Sequence, residues 1–172
     1  MNQLGATREY ETKEQMKKRI KTIFDSFDTD HNGSIDKEEF VKGLSSLFNI
    51  ENLDSAERYK KFFLTIFKMC DTRGWFIFWG DGTLDLGEFE RVANAMPLQL
   101  THDIKTNIGT MMFNIIDGDR SGFVDKKEMI SFLKNSEFSQ IKVGEFIREL
   151  DQNSDGKISR EEFLYWFKNL DN

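Results

Sequence analysis

Apolar residues recur along this chain at helical spacing, in short runs separated by polar stretches. Before four of these stretches stand Phe24 and Phe27, Phe67 and Cys70, Phe113 and Ile116, and Ile147 and Leu150, each pair three residues apart. After them stand Phe40 and Leu44, Phe89 and Ala93, Met129 and Leu133, and Phe163 and Phe167, each pair four apart. Both spacings keep the two members on one face of a helix, so these are the inward stripes of amphipathic helices. The pattern predicts an all-α fold with helices near 12–27, 37–48, 55–70, 86–95, 102–116, 126–135, 139–150 and 160–169. It reads as four helix–loop–helix repeats. Asp36 to Glu39 and Ser159 to Glu162 have the spacing of capping boxes, which marks a helix start inside each of those polar stretches. Each stretch is apolar at the same position, four residues before its closing glutamate: Ile35, Leu84, Val124 and Ile158. These residues suit a short antiparallel ladder between neighbouring loops, so the repeats are expected to pair first with second and third with fourth.

Three of the polar stretches share a second pattern. Asp28, Asp30 and Asn32 alternate before Gly33, and Glu39 follows six residues later. Asp117, Asp119 and Ser121 stand likewise before Gly122 and Glu128, and Asp151, Asn153 and Asp155 before Gly156 and Glu162. A cation of calcium's hardness and size takes six to eight oxygens at about 2.3–2.6 Å in a flexible arrangement. A twelve-residue loop meets that demand with side-chain oxygens at positions 1, 3 and 5, a carbonyl at 7 and a bidentate carboxylate at 12. Glycine at position 6 permits the sharp turn. By ordinary residue frequencies, one full match arises by chance in roughly a few chains per ten thousand of this length. Two of the loops match fully and the other departs only by Ser121, whose hydroxyl still offers an oxygen.

The second repeat is altered. Asp71 ends its first helix as position 1 should, and Asp81, Gly82, Thr83, Leu84, Asp85 and Glu88 form the later half of a regular loop. The intervening residues make the loop six residues too long. Counted back from Glu88, positions 1 and 3 fall on Ile77 and Trp79; counted from Asp71, position 3 is Arg73. None of these coordinates a cation through its side chain. A bulged loop bringing Asp71, Asp81, Asp85 and Glu88 together is the competing arrangement. The run Trp75, Phe76, Ile77, Phe78 and Trp79 is too apolar to lie free in water. It is expected either to plug the core or to offer a docking surface for a partner.

Composition narrows the class. The 172 residues include 17 phenylalanines, enough for a real core and far from a disordered acidic tail. The formal net charge of −6 disfavours nucleic acid, because no basic stripe is present to meet phosphates. Three bound divalent ions would bring that count to about neutrality, so metal removal is expected to loosen the fold. The single cysteine, Cys70, reads as buried packing. No run approaches the roughly 20 apolar residues of a membrane span, and no apolar signal segment opens the chain. A cytoplasmic monomer is the expectation. Pro97 interrupts the short apolar connection between the repeat pairs, dividing the chain into 1–96 and 97–172 and favouring closely packed lobes over a dumbbell.

These loops, their spacing and their pairing resemble the EF-hand superfamily over nearly the whole chain. Within it, the chain is similar to the sarcoplasmic calcium-binding proteins, which have four hands with the second commonly defective. The resemblance implies a first site of Asp28, Asp30, Asn32, Ser34, Asp36 and Glu39. It implies a second of Asp117, Asp119, Ser121, Phe123, Asp125 and Glu128, with Phe123 acting through its carbonyl. The third would comprise Asp151, Asn153, Asp155, Lys157, Ser159 and Glu162, with Lys157 offering only its carbonyl. Ca2+ is the implied ligand, with Mg2+ a candidate occupant at rest.

Two functional readings follow. A buffer or shuttle binding about three Ca2+ fits three good sites and a compact body. A sensor that opens an apolar groove for a protein target is the alternative. No nucleophile–base pair or phosphate loop is visible, so an enzyme is not expected. The fourth-repeat loop has three carboxylates against four in the first and third, so it is expected to bind most weakly in isolation.

Overall fold

The computed structural model describes residues 12–50, 53–72, 80–97, 99–135 and 142–170. Within them lie eight helices: α1 (Lys13–Phe27), α2 (Lys37–Leu47), α3 (Leu53–Cys70), α4 (Leu86–Ala95), α5 (Ile104–Ile116), α6 (Lys126–Asn135), α7 (Val143–Leu150) and α8 (Arg160–Lys168). Two short strands, β1 (Phe123–Val124) and β2 (Ile158–Ser159), complete the secondary structure. The expected helices are therefore present, with ends shifted by a few residues. The start near 139 lies outside the described residues, as do Arg73 and the run from Trp75 to Trp79. α5 begins at Ile104 rather than 102. Ahead of it the Thr101 amide donates to Asn107 Oδ1 at 2.9 Å, and the Thr101 hydroxyl reaches the Asp103 carbonyl, holding those residues out of the helix.

The chain divides into two units, Met1–Leu100 and Thr101–Asn172. In the first, α1 packs on α4 and α2 on α3. Its core is a phenylalanine cluster: Phe24 and Phe27 meet Phe89 with centroids 5.7 and 5.1 Å apart, and Phe40 meets Phe67 at 5.4 Å. Gly43 lies under the Phe27 ring so closely that a Cβ there would enter it, which lets α1 and α2 approach. In the second unit, α5 packs on α8 and α6 on α7. Phe113, Phe163 and Trp166 form its aromatic centre, with Phe146 edge-on to Trp166 at 5.1 Å. Gly109 lets α8 come close, since a Cβ there would stand 2.8 Å from Leu164 and 3.0 Å from Phe167.

The loops pair as the apolar position predicted. The Ile35 and Leu84 backbones exchange hydrogen bonds of 2.9 and 2.8 Å in the first unit. In the second, β1 and β2 are antiparallel with Val124 opposite Ile158. All four of these side chains are buried. Cys70 is fully buried, and desolvation pushes its thiol up to about 12, so it is packing rather than a reactive group.

An ion pair ties α5 to the end of α8: Lys168 Nζ stands 3.0 Å from Asp103 Oδ2. The Thr106 hydroxyl donates to the same oxygen and is the main reason the Asp103 carboxyl falls to about 2; Lys168 adds to it. Because the folded value is depressed, the stabilisation is complete above the ordinary value of 3.8 and disappears as pH falls through about 2. The Asp103 side chain is 48% exposed, so the effect is screened to under about 1 kcal/mol. Urea midpoints of the protein and Asp103→Asn should therefore differ at pH 6 and converge near pH 2. Phe89→Ala should cost far more, about 3–5 kcal/mol in the same measurement, because the ring is wholly buried between α1 and α4.

Candidate metal centre

Each loop begins where its incoming helix makes its last bond. The amides of Asp28, Asp71, Asp117 and Asp151 still donate to carbonyls four residues back, at 2.8–2.9 Å. The chain then turns through left-handed backbone. His31, Arg120 and Ser154, three residues after the leading aspartate, have φ of 58–59°. Gly33, Gly122 and Gly156, two residues further, have φ of 84–88°. A side chain at those glycines would meet open space, so it is the backbone angle that demands glycine. His31 is an exposed turn residue, as residue types tolerant of positive φ often are.

This turn folds the loop amides inward, where they fix the carboxylates. Asp28 Oδ2 accepts from the Gly33 amide at 3.0 Å and Oδ1 from the Asn32 amide at 3.1 Å. Asp117 and Asp151 repeat the arrangement with Gly122 and Ser121, and with Gly156 and Asp155. The glutamate at position 12 is held by both oxygens. Glu39 Oε1 accepts from the Thr29 amide at 2.8 Å and Oε2 from the Asp36 amide at 3.1 Å. Glu128 does the same with Gly118 and Asp125, and Glu162 with Gln152 and Ser159. In return, Asp36, Asp125 and Ser159 accept from the glutamate's own amide, so the closing residue is also the third residue of the next helix. The predicted capping boxes at Asp36 and Ser159 are both present.

Hydrogen bonds within the loops favour the charged form of three carboxylates, Glu39, Asp119 and Glu162. Burial is the largest influence on Glu39 and pushes its carboxyl up. The amides of Asp36, Thr29 and Asp30 and the Thr29 hydroxyl together bring it below its ordinary value. Glu162 behaves alike, with the Ser159 amide and hydroxyl opposing burial. Asp119 is lowered chiefly by the Ser121 hydroxyl and amide. Oxygens of Asp28, Asp30 and Glu39 lie within 4.8 Å of one another, as do those of Asp117, Asp119 and Glu128. The remaining expected ligands line the same turns. Asn32 Oδ1 accepts from the Ser34 amide and hydroxyl, and Asp155 Oδ1 accepts from the Lys157 amide. Asn153 Oδ1 accepts from the Asp155 amide, and the Phe123 carbonyl from the Ser121 hydroxyl. The Lys157 ammonium lies over the Phe123 ring, 5.4 Å from its centroid. A donor set made of oxygen alone, ionised and convergent, suits a hard divalent cation.

The second repeat keeps more of this plan than its length suggests. The Thr72 amide donates to Glu88 Oε1 at 2.9 Å, the Asp85 amide to Oε2 at 3.2 Å, and the Gly82 amide to Asp71 Oδ2 at 3.0 Å. These bonds match those of Glu39 and Asp28 residue for residue at the two ends of the loop. Burial raises the Asp71 carboxyl and the Asp81 and Glu88 charges add to it, while the Gly82 amide opposes them. Sequence reasoning missed the part played by Gly80, which lies against the Asp71 carboxylate. Its signal was a glycine at the fourth position when the loop is counted back from Glu88.

Comparison with known proteins agrees with this geometry. The model of an EF-hand domain pair matches residues 105–168, and that of a single EF hand domain matches 19–47. A rice protein described as probable calcium-binding protein CML13 is 29% identical, over 87% of this chain and 80% of its own. A calcineurin subunit from Schizosaccharomyces pombe is 30% identical, over 84% of this chain and 76% of its own. Calcium-dependent protein kinase 9 of rice is 30% identical over 87% of this chain, but the match spans only 23% of the kinase. Loops built to gather oxygens round Ca2+, helices paired across them, and the rice and Schizosaccharomyces pombe calcium-protein relatives matched over most of their own length lead to one assignment: the chain belongs to the EF-hand family of calcium-binding proteins.

Proposed function

We propose that this chain is a calcium sensor whose three regular loops each take one Ca2+ and whose helix pairs respond by uncovering apolar surface for a protein target. The observation that carries this reading is the interior of the second unit. Met111, Met112 and Met129 are buried there with Phe113, Phe163 and Phe167, behind the α5–α8 contact that Gly109 permits. Methionine adapts to differently shaped partners, and sensor hands expose such surfaces when their helices swing apart. An amphipathic helix of the target is the fitting occupant. One relative named as part of calcineurin and another named as a calcium-dependent kinase support a role exercised on other proteins.

Buffering or shuttling is the second reading, favoured by the closing glutamates. Each is already held on amides of its loop, so ion uptake there calls for little rearrangement. The resemblance to sarcoplasmic calcium-binding proteins points the same way. On either reading the chain acts by binding rather than by catalysis.

Fluorescence of a hydrophobic dye separates the two. A rise on adding Ca2+ to the ion-free protein supports the sensor; a fall supports the buffer. In calorimetric titrations, Glu39→Gln, Glu128→Gln and Glu162→Gln should each weaken one site by more than the ~10–100-fold typical of outer-shell changes. The Glu162 site should be the weakest in the unaltered protein, since its loop has the fewest carboxylates. Addition of Mg2+ should lower apparent Ca2+ affinity by competition, without reaching the Ca2+ response in dye binding.

A further inference from the structure

In the second unit, polar bonds join α5 to α8 at both of their ends. At one end, the guanidinium of Arg160, the first residue of α8, donates to Asn114 Oδ1 at 2.9 Å and lies over the Phe113 ring, 5.1 Å from its centroid. At the other, the Lys105 ammonium donates to the Lys168 carbonyl at 3.0 Å, while the Lys168 ammonium reaches back to Asp103 Oδ2, also at 3.0 Å. The two helices therefore run in opposite directions, with Gly109 admitting Leu164 and Phe167 between these ends.

The Lys105 and Lys168 bonds are crossed in a way that suits both helix dipoles. Asp103 is the N-cap of α5, where the dipole favours an anion. Lys168 is the last residue of α8, and its carbonyl is one of those that the helix leaves without an internal donor, so it draws a cation. The two ends also differ in how far they can move. Ser159, immediately before Arg160, is paired with Phe123 in the β ladder, which anchors the start of α8. Lys105 precedes Asn114 by nine residues, about 13 Å along the helix at 1.5 Å per residue. A rotation of about 10° between the helices at Asn114 therefore carries the far end by roughly 2 Å. Such a displacement takes the Lys105 and Lys168 bonds beyond hydrogen-bonding distance while Arg160 shifts little.

We infer that Asp103, Lys105 and Lys168 form a latch that holds α5 against α8 until Ca2+ is bound, with Arg160 on Asn114 as the pivot. The inference rests on the reading of the chain as a sensor. Opening the helices breaks the latch, so the latch opposes whatever Ca2+ binding does to part them. Coupling of this kind is reciprocal: a weaker latch raises the apparent affinity of the unit's loops for Ca2+. Lys168 and Asp103 are 43% and 48% exposed, so the latch sets a threshold and does not lock the unit.

The test is Ca2+ titration of the full chain, followed by the fluorescence of a hydrophobic dye. Asp103→Asn and Lys105→Met should each lower the Ca2+ concentration at the midpoint, by about two- to fivefold for partners this exposed. The sign for Asp103→Asn is diagnostic, because loss of a negative charge by itself weakens cation binding and would raise the midpoint. Lys142→Met removes a cation of the same unit whose partner, Glu145, lies 3.3 Å away on α7, and should shift the midpoint less than Lys105→Met. An unchanged or raised midpoint for Asp103→Asn, in a protein whose dye fluorescence rises with Ca2+, would overturn the latch alone. Equal shifts from Lys105→Met and Lys142→Met would do the same. If far-UV circular dichroism shows that Asp103→Asn has not folded, the comparison of the two lysine variants decides. Absence of any rise in the unaltered chain would instead overturn the sensor reading, and the latch with it.

Discussion

The glutamate that closes each loop is the constraint on which the rest depends. Its two carboxylate oxygens sit on amides at opposite ends of the loop, so one side chain binds the start of the turn to the start of the next helix. Charge-assisted bonds of this kind are worth about 1.5–3 kcal/mol each, more than most single contacts on a protein surface. The same oxygens are the bidentate ligand a Ca2+ site requires. Helix orientation and ion binding are therefore carried by the same atoms. That identity is the physical basis for expecting a structural response to the ion.

Pairing extends the constraint from one loop to two. The Ile35–Leu84 bridge and the β1–β2 ladder join loops through backbone hydrogen bonds. Backbone pairing of this kind couples the two loops of a unit directly. Behind the ladders lie the phenylalanine clusters, where a displaced helix must change its packing. Close packing resists gradual deformation, so such a unit tends towards discrete arrangements.

Much of this was legible in the sequence. Helical periodicity located all eight helices, and the aspartate before each loop marked where four of them stop. The apolar residue at loop position 8 foretold which repeats pair. Contacts set by missing atoms were not legible. Nothing in the apolar pattern singled out Gly43 and Gly109, yet they let α1 approach α2 and α5 approach α8 closely. The pinning of Asp103 by Thr106 and Lys168 was also hidden, because Lys168 comes from the far end of the unit. In the altered repeat, counting from either end put an unsuitable residue at a ligand position. Counting assumes an unbroken register, whereas the fold uses only the two ends.

The energetic reason the ends prevail can be stated. Closing a flexible loop costs free energy that grows with the logarithm of its length. Seventeen residue steps separate Asp71 from Glu88, against eleven from Asp28 to Glu39, so the added closure cost is only ~0.4 kcal/mol. A single bond from the Thr72 amide to the Glu88 carboxylate exceeds it, and the Asp85 and Gly82 amides add two more bonds to charged groups. Lengthening the middle of the loop is thus a small perturbation, whereas losing either terminal carboxylate removes bonds that hold its ends together. The balance explains how an insertion that erases the motif on paper leaves the two ends of the loop bonded to each other.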